Sequence, residues 1–169
     1  GMTILKQNGE IINKFPTSGN KEMSFHNVRA IYELIDNEYL IGTRNEGLYH
    51  YNMNDKSLSR FYYNISDNAD TQLPENYITN IFKDSAGNIW IGTFGGGMCR
   101  YDTGTKTFEI VNTQKGLLDN NICSIGEDNN RHLWISTISG LSDYSIDSKE
   151  IVNYSYSNGI MINEFTPHA

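Results

Sequence analysis

The sequence predicts an all-β fold, a β-propeller fragment of about three complete four-stranded antiparallel blades with strands of split blades at its two ends. The first observation behind this is a repeat. Ile41-Gly42-Thr43 and Ile91-Gly92-Thr93 share a triplet that returns as Ile135-Ser136-Thr137, each time behind a bulky residue: Leu40, Trp90 or Trp134. The spacings, about 50 and then about 44 residues, lie in the range of propeller blades. The second is composition. With 11 Tyr and 7 Phe against 3 Pro, the chain is rich in residues that pack well on a pleated surface. The third is that each unit carries four strand-like segments separated by turn chemistry.

Each unit opens on an Asn-led strand: Asn27 to Ile31, Asn76 to Ile81 and Asn121 to Ile125, where apolar residues alternate with small or polar ones. A hairpin turn follows at Asp36 to Glu38, Asp84 to Asn88 or Asp128 to His132, in which the aligned Asp can fold its carboxylate onto nearby backbone N–H groups. The second strand holds the triplet. A turn at Arg44 to Gly47, Phe94 to Gly97 or Ile138 to Gly140 leads to the third, which places a Gly, an apolar residue and then a Tyr in constant register: Gly47 and Tyr51, Gly97 and Tyr101, Gly140 and Tyr144. After polar turns at 52–56, 102–106 and 145–149, a fourth strand closes each unit near Phe61, Phe108 and Val152.

These assignments give one partial propeller over residues 1–169. A blade remnant occupies 3–15, with Asn8-Gly9 as its hairpin signal. Blades follow over about 26–63, 76–112 and 121–155, and the start of a next blade over 159–169, where Asn163 and Phe165 repeat the spacing of Asn120 and Ile122. An open arc would leave apolar sheet faces exposed. The expectation is therefore further blades of the same parent chain, or a homo-oligomer that closes the ring with a second copy.

Charge narrows the partners. The net charge of −7, from 13 basic and 20 acidic residues with no basic run, excludes a phosphate-binding footprint, so no nucleic acid is expected on this segment. No apolar stretch approaches the ~18 residues that cross a bilayer, and no membrane contact is expected within it either. Cys99 and Cys123 fit no clustered zinc spacing and read as two buried thiols on strands that are not neighbours. Asp84 and Asp128 lack the alternating donors of a calcium loop. The Gly95-Gly96-Gly97 run lacks the Lys-Ser or Lys-Thr of a phosphate cradle. Neither a cofactor nor a metal is expected. Asn64-Ile65-Ser66 and Asn153-Tyr154-Ser155 satisfy the glycosylation acceptor rule.

The run Asp84-Ser85-Ala86-Gly87-Asn88-Ile89-Trp90-Ile91-Gly92-Thr93, followed by Gly97, Tyr101-Asp102, Gly116-Leu117 and Asn121-Ile122, resembles the two-component regulator propeller repeat. The third unit is similar through Asp128, Leu133 to Thr137, Gly140-Leu141 and Asn158-Gly159-Ile160. The first departs, with Leu40 for Trp and a hairpin two residues shorter. The resemblance implies the periplasmic sensor portion of a membrane-anchored hybrid two-component histidine kinase and response regulator. It also implies an oligosaccharide or other small-molecule signal, typically a carbohydrate breakdown product, and no kinase activity in this chain.

Trp90 and Trp134 read as inter-blade core residues, and Gly42, Gly92 and Ser136 as small residues that permit close blade contact. Binding candidates are instead loop residues whose type varies from blade to blade, because loops carry function on a rigid scaffold. The loop before the first strand and the loop between the second and third strands emerge on one rim of a propeller. They supply His26, Arg29, Arg44, Asn45 and Glu46, then Asn76, Tyr77 and Phe94, and then Asn120 and Asn121. Amide, guanidinium and aromatic groups of this kind suit hydroxyl-rich ligands. Two other readings stay open: a structural or protein-docking propeller, and a propeller glycosidase or lyase, for which no carboxylate pair converges in the sequence.

Overall fold

The computed structural model describes residues 2–5, 9, 11–15, 27–63, 72–160 and 165. Two short strands, β1 (Met2–Leu5) and β2 (Ile11–Phe15), pair as an antiparallel hairpin. Three four-stranded antiparallel sheets follow, each a simple meander in chain order. The first contains β3 (Val28–Ile35), β4 (Glu38–Thr43), β5 (Leu48–Asn52) and β6 (Leu58–Phe61). The second contains β7 (Ile78–Lys83), β8 (Ile89–Thr93), β9 (Met98–Asp102) and β10 (Thr107–Val111). The third contains β11 (Ile122–Glu127), β12 (His132–Thr137), β13 (Gly140–Ser145) and β14 (Ile151–Tyr154). Strands β3 and β11 both lie against β7, so the opening strands of the three sheets stand side by side and the sheets stack face to face as propeller blades.

Strand alternation explains the stacking. Ile89 and Ile91 turn to one face of β8 and join Leu40 and Leu48 of the first blade, with Leu73, Cys99, Tyr101 and Phe108, in one buried cluster. Trp90, between them in sequence, turns to the other face, where it meets Ile122, Ile125, Leu133, Ile135 and Tyr144 of the third blade and Leu117 of the connection that leads into it. Every residue of β8 is buried, because a central blade has a neighbour on both sides. A third cluster, Ile41, Tyr49 and Tyr51, covers the face of the first blade turned away from the second.

The triplet glycine sets the distance between blades. A Cβ on Gly42 would lie 2.5 Å from Ile78 Cγ2, and one on Gly92 would lie 2.8 Å from Ile122 Cγ2 and 3.2 Å from Thr79 Oγ1. The neighbouring blade's first Ile occupies the space a side chain would need. Gly92→Ala is expected to cost about 2 kcal/mol by overpacking, read from urea denaturation, and trimming Ile122 to Val in the same chain should recover part of the loss. The glycine that opens the third strand has a different cause. Gly47, Gly97 and Gly140 have φ of 80°, 84° and 138°, and a Cβ there would run into the carbonyl oxygens of Phe61, Val111 and Tyr154 on the adjacent strand.

The hairpin Asp works as its residue type suggests, with one addition. Asp84 Oδ1 accepts from the N–H groups of Ala86 and Asn88 at 3.1 and 2.7 Å, while Oδ2 accepts from Asn88 Nδ2 at 2.7 Å and from Trp90 Nε1 at 2.9 Å. Asp128 repeats this with Asn130, His132 and Trp134 Nε1. The carboxylate thus locks both the turn and the indole. In the first blade, where the Leu40 side chain has no N–H to offer, the shorter turn is held by Glu33 Oε1, which accepts from Asn37 N–H at 3.2 Å.

Two features differ from the sequence expectation. Trp134 is not a core residue like Trp90: it is 38% exposed, against 3% for Trp90, and stacks on Tyr154 with ring centroids 5.8 Å apart. Among the described residues no sheet covers that face of the third blade. The opening strands are also not regular. Each pairing skips a residue near its start, between Val28 and Ala30, between Ile78 and Asn80, and between Ile122 and Ser124, which leaves Arg29, Thr79 and Cys123 in equivalent β-bulges; the first pairing shifts again between Glu33 and Ile35.

Candidate functional site

Backbone hydrogen bonds bring the two rim loops together in every blade. Arg44 N–H donates to Asn27 O, Phe94 N–H to Tyr77 O and Ile138 N–H to Asn121 O, at 3.0, 2.9 and 3.3 Å. The rim is also stitched from blade to blade: Gly47 N–H donates to Asn76 O at 3.1 Å, and Gly97 N–H to Asn120 O at 2.9 Å. Inside each turn a buried Thr hydroxyl donates to the glycine carbonyl, Thr43 to Gly47, Thr93 to Gly97 and Thr137 to Gly140. The turns are therefore held from below and from the side.

Four of the candidates from the sequence converge at the junction of the first two blades. The guanidinium carbons of Arg29 and Arg44 lie 5.9 and 5.6 Å from the Tyr77 ring centroid, and the Phe94 ring lies 5.4 Å from it. Arg29 and Tyr77 come from the opening strands of consecutive blades or the loops that lead into them. Arg44 and Phe94 are the first turn residues after the two triplets. Cation–π contact of this kind holds the two guanidinium groups against an aromatic plate. Arg44 is exposed and the other three are half-buried.

The remaining candidates are placed differently. Asn76 and Asn120 hold backbone: Asn76 Oδ1 accepts from Tyr63 N–H at 2.8 Å and its Nδ2 donates to Tyr63 O, while Asn120 Oδ1 accepts from Thr113 N–H at 2.8 Å. Both amides tie the exit of one blade to the start of the next. Asn121 donates through its backbone N–H and Nδ2 to Asp119 Oδ1, and Ser139 Oγ donates to Asp119 Oδ2 at 2.5 Å. Asp119 is a residue the sequence reading did not single out, because its partner Ser139 lies across the rim. Glu46 faces outward along its own blade, where its carbonyl accepts from Arg60 Nε at 2.8 Å and its carboxylate from the Tyr49 hydroxyl at 3.5 Å. Asn45 is exposed at the turn tip. His26 lies outside the described residues.

A cleft of about 620 Å³ opens beside the Gly95-Gly96 turn, lined by Leu73, Pro74, Asn112 and Asn120 among others. Two of its amides already have partners, Asn120 through Thr113 N–H and Asn112 through Gln114 N–H. Burial pushes the Cys99 thiol up, and burial followed by the Asp119 carboxylate does the same for Cys123, so neither is primed as a thiolate. Both cysteines are free and buried. No three His, Cys, Asp or Glu side chains among the described residues are grouped to hold a metal.

The sequence profile of the two-component regulator propeller matches residues 72–95 and 116–139, each match running through an opening strand, an Asp hairpin and a Trp-bearing second strand. The chain carries two-component regulator propeller repeats. The regulator-propeller profile does not extend to the first blade, the one with Leu40 and the shortened turn. Histidine kinase P4 of Formosa agariphila is 36% identical over 120 residues, which are 69% of this chain and 8% of that protein. Two solved structures of B. thetaiotaomicron, described as extracellular domains of the hybrid two component systems BT3049 and BT4673, share the fold. The first has a TM-score of 0.72 at 22% identity over 88% of this chain and 21% of its own. The second has a TM-score of 0.63 at 25% identity over 80% and 18%. The regulator-propeller segment thus spans 8% of the kinase and about a fifth of each solved chain.

Proposed function

We propose that this chain is a propeller segment of the extracytoplasmic, ligand-sensing region of a hybrid two-component sensor, and that it recognises a carbohydrate breakdown product without transforming it. The repeat family, the kinase relative and the extracellular solved domains support the sensor assignment. A periplasmic location on an inner-membrane-anchored parent follows from the same reading, and no described helix is long and apolar enough to cross a membrane.

One observation carries the ligand class: the plate formed by Tyr77 and Phe94 with Arg29 and Arg44 over it. An aromatic face covers the C–H face of a sugar ring, and guanidinium N–H groups donate to its hydroxyls in fixed directions. Calorimetric titration with a panel of defined oligosaccharides tests this. A member of the panel should bind, and Tyr77→Ala and Arg44→Ala should each weaken it about tenfold, the loss of roughly one good polar or stacking contact. Silence across the panel would overturn the carbohydrate reading and favour a docking propeller. New reducing ends after incubation with the same panel would contradict recognition without catalysis.

A further inference from the structure

The repeat itself separates positions that build the fold from positions free to vary. In the three opening strands, Val28, Ile78 and Ile122 are equivalent by pairing, as are Ile31, Ile81 and Ile125. These positions stay apolar and β-branched in every blade. Between them lie two residues that change completely: Arg29-Ala30, Thr79-Asn80 and Cys123-Ser124. The first of each pair is the bulged residue, and a bulge re-aims a side chain that regular pairing would direct elsewhere.

All six of these variable residues line one cavity of about 460 Å³, where the three opening strands meet. Ser136 lines it as well, at the position that Gly42 and Gly92 occupy in the other blades, and Phe165 closes one side. The polar groups are not used up by the protein. Thr79 is 5% exposed, yet its Oγ1 has no hydrogen-bond partner, and Asn80 Oδ1 is buried in the same condition. Such groups cost free energy unless something supplies the missing bond.

We infer that this bulge-lined cavity is a binding subsite for a small hydroxyl-rich solute of roughly one or two sugar rings. This inference rests on the sensor reading above and places the ligand's polar end on the opening strands, reached past Arg29, which lines the cavity and also flanks Tyr77. The donor set argues for hydroxyls. Thr79, Ser124 and Ser136 both donate and accept, Asn80 offers an amide oxygen, and among the described lining residues there is no carboxylate and one cation, Arg29. Ile31, Ile81 and Phe165 supply apolar surface for C–H faces, and the volume lies in the usual range of small-molecule pockets.

The test uses the oligosaccharide that gives the strongest calorimetric signal from the same panel, on the whole chain and four variants. Thr79→Val and Asn80→Ala should each weaken binding about tenfold, and Ser124→Trp, which fills the cavity from an exposed position, should abolish it. Should Thr79→Val disturb the blade contact and fail to fold, Asn80→Ala and Ser124→Trp decide by themselves. Amide shifts on titration should move at 79, 80 and 124. Binding that is lost in Arg44→Ala but unchanged in the cavity variants would overturn this subsite while leaving the sensor reading intact. No binding by any member of the panel would overturn both.

Discussion

Trp90→Ala is expected to destabilise the chain by about 3–5 kcal/mol, the range for removing a large aromatic from a packed core. Trp134→Ala, at the same position of the next repeat, is expected to cost only about 1 kcal/mol, in line with partial burial. The local sequence does not distinguish them, since both follow an Asp hairpin and precede an Ile of the triplet. Their surroundings do. Trp90 is 3% exposed, packs edge-on to Tyr144 at 5.6 Å and lies among the third blade's Ile122, Ile125 and Ile135, whereas Trp134 is 38% exposed. Urea denaturation of the two variants side by side checks this. Equal losses would mean that Trp134 is covered in solution, either by a further blade or by a second copy.

Asp84→Ala is expected to cost about 3 kcal/mol, because it removes a charged acceptor from four donors at once and strands the indole N–H of Trp90 in the core. A double-mutant cycle with Trp90→Phe isolates the indole contact and should return a coupling of about 1–3 kcal/mol. The same carboxylate makes stability depend on pH. Burial alone would raise the Asp84 pKa, but hydrogen bonds from the Trp90 indole, from Asn88 and from the Ala86 N–H outweigh it and hold the group below its ordinary value. A lowered folded-state pKa means that its stabilisation is complete above the unfolded value, about 4, and is lost as pH falls through the folded one. Urea midpoints should therefore drop on acidification below about pH 4, and the drop should be smaller in Asp84→Ala. An unchanged acid limb would show that other carboxylates, Asp128 among them, dominate it.

Strand order, hairpin turns and the close-contact role of the triplet glycine were legible because each depends on residues near in sequence. An Asp that caps its own turn, or a Gly ahead of an apolar residue and a Tyr, acts over a few residues and recurs in each unit. The meeting of the two rim loops within each blade was legible for the same reason. The candidate site was legible only in part. Arg29, Arg44, Tyr77 and Phe94 stood out as polar or aromatic rim residues, but nothing local says that they share one plate while Asn76 and Asn120 spend their amides on Tyr63 and Thr113. The bulges were invisible altogether, since Arg29, Thr79 and Cys123 have no common residue type.

By itself, then, the amino-acid order dictated blades, turns and the spacing of small residues, because period-two alternation and turn chemistry are local forces repeated at each unit. Only the tertiary structure decided which tryptophan is buried, which strand residues are bulged toward a shared cavity, and which side chains from consecutive blades touch. Those outcomes depend on what lies across an inter-blade contact some 50 residues away in the chain, where repeats of one pattern meet different neighbours.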